Sequence, residues 1–271
     1  MKKFIALLLA VLMIGVVLAG CGQKTDTKSF STDTAAEGSD LQYVLDKGTL
    51  VVGITDFEPM DYKDDNGNWI GFDADMAALF AESLGVKVEL AEIDWDNKIM
   101  ELDGKTIDCV WNGMTLTDEV KSAMSCSNAY CNNAQVVIVN SDVADKYQDA
   151  KACKELKFAV ESGSAGQEQA EANGFEFTEV KDQATALMEV ASGTSDAAII
   201  DALMAAAMVG EGTGYEDLTY TVSLNSEEYG VGFRKDSDLT EKINAFFDEC
   251  KENGKLKEIA ETYKIQAALT D

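Results

Sequence analysis

The residues of this chain whose types and spacing suit chemistry lie just beyond an apolar run. Ile107 to Trp111 reads as a buried strand, and Asn112-Gly113 ends it at a turn that leads to the hydroxyls of Thr115 and Thr117. Backbone N–H groups and short polar side chains converge past the carboxyl end of such a strand, and the chemistry they suit is the capture of a small solute. Thr117 before Asp118-Glu119 also fits an N-cap, with acids placed against the helix dipole. Two other stretches accompany this one: Gly71-Phe72-Asp73-Ala74-Asp75, which opens a helix, and the loop from Ser125 to Tyr130.

Other chemistries are disfavoured by composition. The 271 residues include no histidine, which removes the commonest general base, the commonest metal ligand and any Ser-His or Cys-His nucleophile pair. A formal charge of −27 argues against a nucleic-acid partner, because phosphates would be repelled. With 49 acids, close carboxylates such as Glu89, Glu92 and Asp94 arise by chance and read as a solvated edge. Apart from Cys21 there are five cysteines, at 109, 126, 131, 153 and 250, and no two are spaced for a zinc or redox motif. Their number is odd, so at least one is unpaired or pairs outside the chain; Cys126 and Cys131 flank a loop and could bridge. No metal and no cofactor is expected.

Strands and helices alternate around these residues. Leu50 to Ile54 is a strand with the loop Thr55 to Met60 at its carboxyl end, and Asp64 to Asn68 is a hairpin turn. Asp73 to Leu84 has amphipathic helical spacing and stops at Gly85; Val86 to Leu90 is the next strand. This βαβ order indicates an α/β fold. The β-branched run Val136 to Val139 reads as a crossover into a second lobe. There the strand Leu156 to Val160 ends at the small-residue loop Glu161 to Gly166, and Ala197 to Ile200 ends at Asp201. Gly104-Lys-Thr-Ile-Asp108 and Gly193-Thr-Ser-Asp196 echo one another, each setting helix, glycine, aspartate and buried strand in that order. Leu239 to Tyr263 is helical, with a break at Asn253-Gly254.

Residues 1–20 join two lysines to an apolar run from Phe4 to Ala19, the pattern of a secretory signal. Leu18-Ala19-Gly20-Cys21 resembles a bacterial lipobox, which implies cleavage before Cys21 and lipidation of its thiol, and so a membrane anchor. Residues 21–40, rich in Ser, Thr, Asp, Gly and Ala, read as a flexible tether.

Taken in order, Gly-Thr-Leu-Val-Val-Gly (48 to 53), Gly-Phe-Asp-Ala-Asp-Met (71 to 76), Ile-Asp-Trp-Asp (93 to 96), Gly-Lys-Thr-Ile-Asp (104 to 108) and Asn-Gly-Met-Thr-Leu-Thr (112 to 117) resemble the polar amino-acid-binding family of extracytoplasmic solute-binding proteins. The resemblance covers roughly residues 41 to 265. It implies a two-lobe periplasmic-binding-protein-like fold of type II, with mainly parallel sheets and a two-strand hinge. Residues 41–137 would form the first part of lobe 1, residues 138–229 lobe 2, and residues 230–271 the return to lobe 1 with the C-terminal helices. The expected role is capture of an amino acid or related amine for an ABC importer, by a monomer held at the outer face of the bacterial membrane. Its partners would be permease and ATPase subunits. A ligand-binding sensor module and a cyclohexadienyl-dehydratase-like enzyme on the same fold are the alternatives.

Carried onto this sequence, the resemblance implies an aromatic wall of Phe57 and Trp95, with Trp111 as a further face. Asp201 would hold an α-ammonium. Gly113 and Thr115, with Ser164 and Ala165 at a helix start, would surround the α-carboxylate, and Asn112 is expected among the ligand-binding residues. The family's carboxylate-binding arginine would fall where this chain has Val120, and the sole arginine, Arg234, lies in the return crossover Glu228 to Arg234. Glu161 and Asp201 with no guanidinium between them imply a ligand carrying an ammonium, unless Lys121 or another lysine supplies the missing positive charge.

Overall fold

A computed structural model describes residues 35–271. Two five-stranded sheets organise them. The first runs in the order Lys87–Glu92, Thr49–Ile54, Cys109–Val110, Gly232–Phe233, Ser125–Cys126. The second runs Glu176–Val180, Lys157–Glu161, Ala197–Asp201, Gln135–Asn140, Leu218–Ser223. In each, the first three strands are parallel and the last two are each antiparallel to the strand before. The architecture is therefore α/β in two lobes, with mixed rather than mainly parallel sheets. The reversal has a topological cause. Gly232–Phe233 and Gln135–Asn140 follow directly on the passage from the other lobe, so they enter their sheets against the direction set by the βαβ units.

The passage itself is a short antiparallel pair, Cys131–Asn133 with Glu227–Tyr229. The run Val136 to Val139 is not this crossover. It lies wholly within the second sheet, flanked by Ala197–Asp201 and Leu218–Ser223, so the forward part of lobe 1 ends near residue 133 rather than 137. At the other end, the Ser39 side chain caps the helix Asp40–Lys47 by accepting from Gln42 N–H, and Asp40 accepts from Arg234 Nε at 2.8 Å. Residue 40 thus belongs to lobe 1 and not to the tether. The signal at 1–20, Cys21 and the tether up to residue 34 lie outside the described residues.

The sequence echo has a structural basis. Asp108 accepts from Val51 N–H at 2.8 Å and donates its own N–H to Val51 O at 2.7 Å. Asp196 does the same with Lys157, at 3.0 and 2.9 Å. Each aspartate ties the segment that follows a helix to a parallel strand of its sheet, Thr49–Ile54 in one lobe and Lys157–Glu161 in the other. The Asp108 tie is reinforced by Lys47 at 2.5 Å and by Arg234, which also donates to Leu102 O and Ile107 O. Arg234 is therefore a pin inside lobe 1.

Two glycines position the site by close approach. Gly71, at φ 136°, sits where a Cβ would lie 2.1 Å from Met60 O, and the helix Phe72–Leu84 starts against that carbonyl with Asp73 aimed inward. Gly113, at φ 56°, sits where a Cβ would lie 2.5 Å from Phe57. Behind them Trp111, Tyr130, Phe80 and Phe247 form an aromatic core, with Trp111 and Phe247 centroids 5.5 Å apart. All five cysteines among the described residues are free, so Cys126 and Cys131 form no bridge. They sit on strands with different partners, Cys126 beside Gly232 and Cys131 beside Tyr229.

Candidate functional site

A cavity of about 30 Å³ lies between the lobes. From lobe 1 it is lined by Phe57, Trp95, Lys98, Asn112, Gly113, Thr115 and Val120 among others, and from lobe 2 by Glu161, Ser164, Ala165, Glu168, Gln183 and Asp201. Phe57, Trp95, Asn112, Gly113, Thr115, Glu161, Ser164, Ala165 and Asp201, all expected from the sequence, line this cavity. The exception among the aromatic candidates is Trp111: it is fully buried in the aromatic core and does not reach the cavity. Side chains alternate along a strand, so Asn112 and Trp111 point to opposite faces.

Several of these residues already spend their polar groups on the protein. The Asn112 carboxamide accepts from Thr55 N–H and Oγ1 at 3.0 and 2.8 Å, and donates to Thr55 O and to Asp61 at 3.0 and 2.7 Å. It holds the two loops of lobe 1 together and has nothing left for a ligand. Gly113 N–H donates to Asp73 Oδ2 at 2.6 Å, and Thr115 Oγ1 donates to Glu227 at 2.9 Å. Ser164 Oγ accepts from Gln167 N–H at 3.1 Å and so caps the helix Ala165–Asn173. The amides left over are those of Thr115, which has no acceptor among the described residues, and of Ala165 and Gly166, the opening N–H groups of that helix. Thr115 and Ala165 line the cavity from opposite lobes, and free amides there suit an anionic group.

The acids define the other character of the wall. Asp201, at the end of its strand, is 4% exposed. It accepts from Asn133 Nδ2, Gln183 Nε2, Gln135 Nε2 at 3.1 Å and Tyr229 O–H at 2.5 Å. These donors are all neutral; they orient the carboxylate without balancing its charge. Burial first, and then the Glu227 charge, push Asp201 up to about 7, while the Tyr229, Gln183 and Gln135 bonds work the other way. Glu161 is 3% exposed, and its Oε1 has no hydrogen-bond partner among the described residues. Burial, followed by the charges of Asp201 and Asp182, pushes it up to about 8, with Gln183 and Thr55 offsetting part of this. Glu119 and Glu168 complete the acidic lining.

Against these acids stands a lysine that reading the sequence did not single out. Lys98 follows the short 3₁₀ turn Trp95–Asn97, which swings it off the lobe surface and into the cavity, where it is 7% exposed. Its ammonium lies 5.1 Å from the Trp95 ring centroid and donates to Trp95 O at 3.3 Å and, across the cleft, to Gly163 O at 2.8 Å. Desolvation lowers its pKa, and Glu119, Glu161, Asp96 and Glu168 oppose that shift. Lys121 is exposed and outside the cavity, whereas Val120 forms part of its wall. The base that lines the cavity is thus Lys98, with neither residue 120 nor Lys121 contributing one. The one sequence signal was phase: Lys98 and Leu102 share a helical face, and Leu102 is core.

A sequence profile of bacterial extracellular solute-binding proteins, family 3, matches residues 50–266. The arginine-binding extracellular protein ArtP of Bacillus subtilis is 30% identical over 268 residues, 96% of each chain. Among solved structures, a histidine-bound substrate-binding protein of an ABC uptake transporter from Streptococcus pneumoniae superposes with a TM-score of 0.80 at 29% identity, covering 87% of this chain and 100% of that one. An ancestral amino-acid-binding protein, a precursor of cyclohexadienyl dehydratase, superposes with a TM-score of 0.76 at 30% identity, covering 83% and 99%.

Proposed function

This chain belongs to family 3 of the bacterial extracellular solute-binding proteins, and from that premise we propose that it captures a small polar solute, an amino acid first of all, in the cleft between its lobes and delivers it to an ABC importer. One observation carries the reading: a cavity walled by both lobes, at strand ends of both sheets, and bridged by Lys98 to Gly163 O. A cavity of about 30 Å³ admits no amino acid, so the lobes must part for loading. A ligand that contacts both lobes then favours the closed form, which a permease can distinguish from the open one.

In this reading the α-ammonium meets Asp201, and Phe57 and Trp95 enclose the side chain. The α-carboxylate faces the Lys98 ammonium with the Thr115 and Ala165 amides; Asn112, Gly113, Glu161 and Ser164 shape the remaining wall. The role is binding and not catalysis, in keeping with what the similar proteins are named for. A thermal-shift series tests it. A ligand at 100 times its Kd stabilises by about 2.7 kcal/mol, which in a domain of this size raises Tm by about 5–10 °C. L-lysine should shift the protein more than cadaverine, its analogue without a carboxylate. Failure of every amino acid and amine to move Tm would overturn the assignment.

The reading extends to location: the chain is anchored at the outer face of the bacterial membrane by lipidated Cys21. Cys21→Ser should release it from the membrane fraction into the soluble one. Retention of the variant in the pellet would refute the lipid anchor.

A further inference from the structure

The neutral donors around Asp201 leave its charge free for one ammonium, but the cavity carries a second carboxylate for which the reading above has no use. Glu161 stands on the strand beside Asp201, since Lys157–Glu161 and Ala197–Asp201 are parallel neighbours whose carboxyl ends both meet the cleft. It is almost fully buried, lines the cavity, and keeps Oε1 without a partner. A buried carboxylate with no counter-charge is costly, so the group keeps its proton until a cation is delivered to it. The lysine that lines the cavity, Lys98, is turned instead to the carbonyls of Trp95 and Gly163.

The charge inventory points the same way. Glu119, Glu161, Glu168 and Asp201 line the cavity, and Lys98 is its one base among the described residues. A zwitterion adds equal and opposite charges and leaves that imbalance as it was. A ligand with two cationic groups reduces it.

We propose that Glu161 is the specificity-determining carboxylate of this cleft, receiving a second cationic group on the ligand, so that the solute is a basic amino acid or a diamine rather than a neutral amino acid. The inference rests on the amino-acid-capture reading and narrows it. Groups facing Glu161 are Asp201 from the adjacent strand, Asp182 at the cap of the helix Gln183–Ser192 and, more distantly, Lys98, with Thr55 and Gln183 as neutral neighbours. In the free protein Glu161 titrates near 8, so a second cation arriving at neutral pH expels its proton.

The experiment is calorimetric titration of the full chain and of Glu161→Gln, with L-lysine and with L-norleucine, which has the same carbon skeleton and no side-chain amine. The wild type should prefer lysine by about 100-fold or more, the scale of one desolvated charge pair, and Glu161→Gln should cut that preference to tenfold or less, chiefly through weaker lysine binding. Lysine affinity in the wild type should rise from pH 6 to about 8 and then level, with proton release seen as a dependence of the heat on buffer. In Glu161→Gln only the rise up to about pH 7, due to Asp201, should remain. Equal wild-type affinity for lysine and norleucine overturns the proposal and leaves amino-acid capture standing. An equal loss of both ligands in Glu161→Gln also overturns it, since Glu161 would then share the α-ammonium. Should neither ligand bind, arginine and the uncharged citrulline serve as the second pair; failure of all four overturns this inference, and the broader reading is then judged by the thermal-shift series.

Discussion

Asp201→Asn weakens ligand binding by about 100-fold or more while the protein stays folded. The carboxylate is held by Asn133, Gln135, Gln183 and Tyr229, each of them neutral, so in the closed cleft its full charge falls on the bound ammonium. Removing one member of a buried, hydrogen-bonded charge pair costs about 2–5 kcal/mol, because the other charge is left unpaired. Asparagine has the same shape, and its Oδ1 keeps the bonds from Asn133, Gln135 and Tyr229, so only the Gln183 side-chain contact is lost. Calorimetry gives the affinity and a melting curve of the free variant checks the fold. A folded Asp201→Asn with unaltered affinity would sink the ammonium assignment, whatever the ligand proves to be.

The second large effect is on stability. Between pH 5 and 8.5 the ligand-free protein should lose stability, by about 4 kcal/mol from Glu161 alone and by more with Asp73 and Asp201. Glu161 is pushed up to about 8, Asp73 and Asp201 to about 7, and Asp61 is also raised, in each case chiefly by burial. A carboxyl whose pKa is higher folded than unfolded binds more protons in the native state at every pH between the two values. Its contribution is therefore fully present below about pH 4 and is lost as pH rises to about 8. One pKa unit corresponds to about 1.4 kcal/mol, so Glu161 alone accounts for several kcal/mol. Urea titrations at pH 5, 7 and 8.5 measure this directly, and Glu161→Gln should flatten the upper part of the curve. Stability that held level or rose across this range would show that the buried acids remain charged and compensated.

The sequence carried the elements that local pattern specifies. The apolar runs became strands within a residue or two, the break at Asn253-Gly254 separates two helices, and Thr117 caps its helix through Val120 N–H. What escaped was set by contacts distant in the chain. Gly113 N–H looked free because its acceptor, Asp73, is 40 residues away. The hinge strand Cys131–Asn133 is polar and short, with little strand propensity, and is held by Glu227–Tyr229; the more strand-like run beside it drew the boundary to the wrong place. Lys98 has charged and polar neighbours at Asp96 and Asn97, and only the turn before it sends it inward. The pocket was legible by position in the chain, and the division of its polar groups between fold and ligand was not.

The place of Gly232–Phe233 in the first sheet bears on how the molecule is made. This strand lies between Cys109–Val110 and Ser125–Cys126, so the sheet has a gap at its fourth position until nearly the whole chain has emerged. Lobe 2 is continuous, and all its strands are available by residue 223. During synthesis and export it can therefore fold first, as a unit, while lobe 1 waits, its early strands Thr49–Ile54 and Lys87–Glu92 paired to each other but open along one edge. Arg234 then closes the structure by joining Asp40 from the start of the chain to Asp108 and the carbonyl of Ile107. Release of a chain cut before residue 230 leaves lobe 1 with that exposed edge and no pin, so lobe 1 is the half exposed to proteolysis and edge pairing when translation or export stalls.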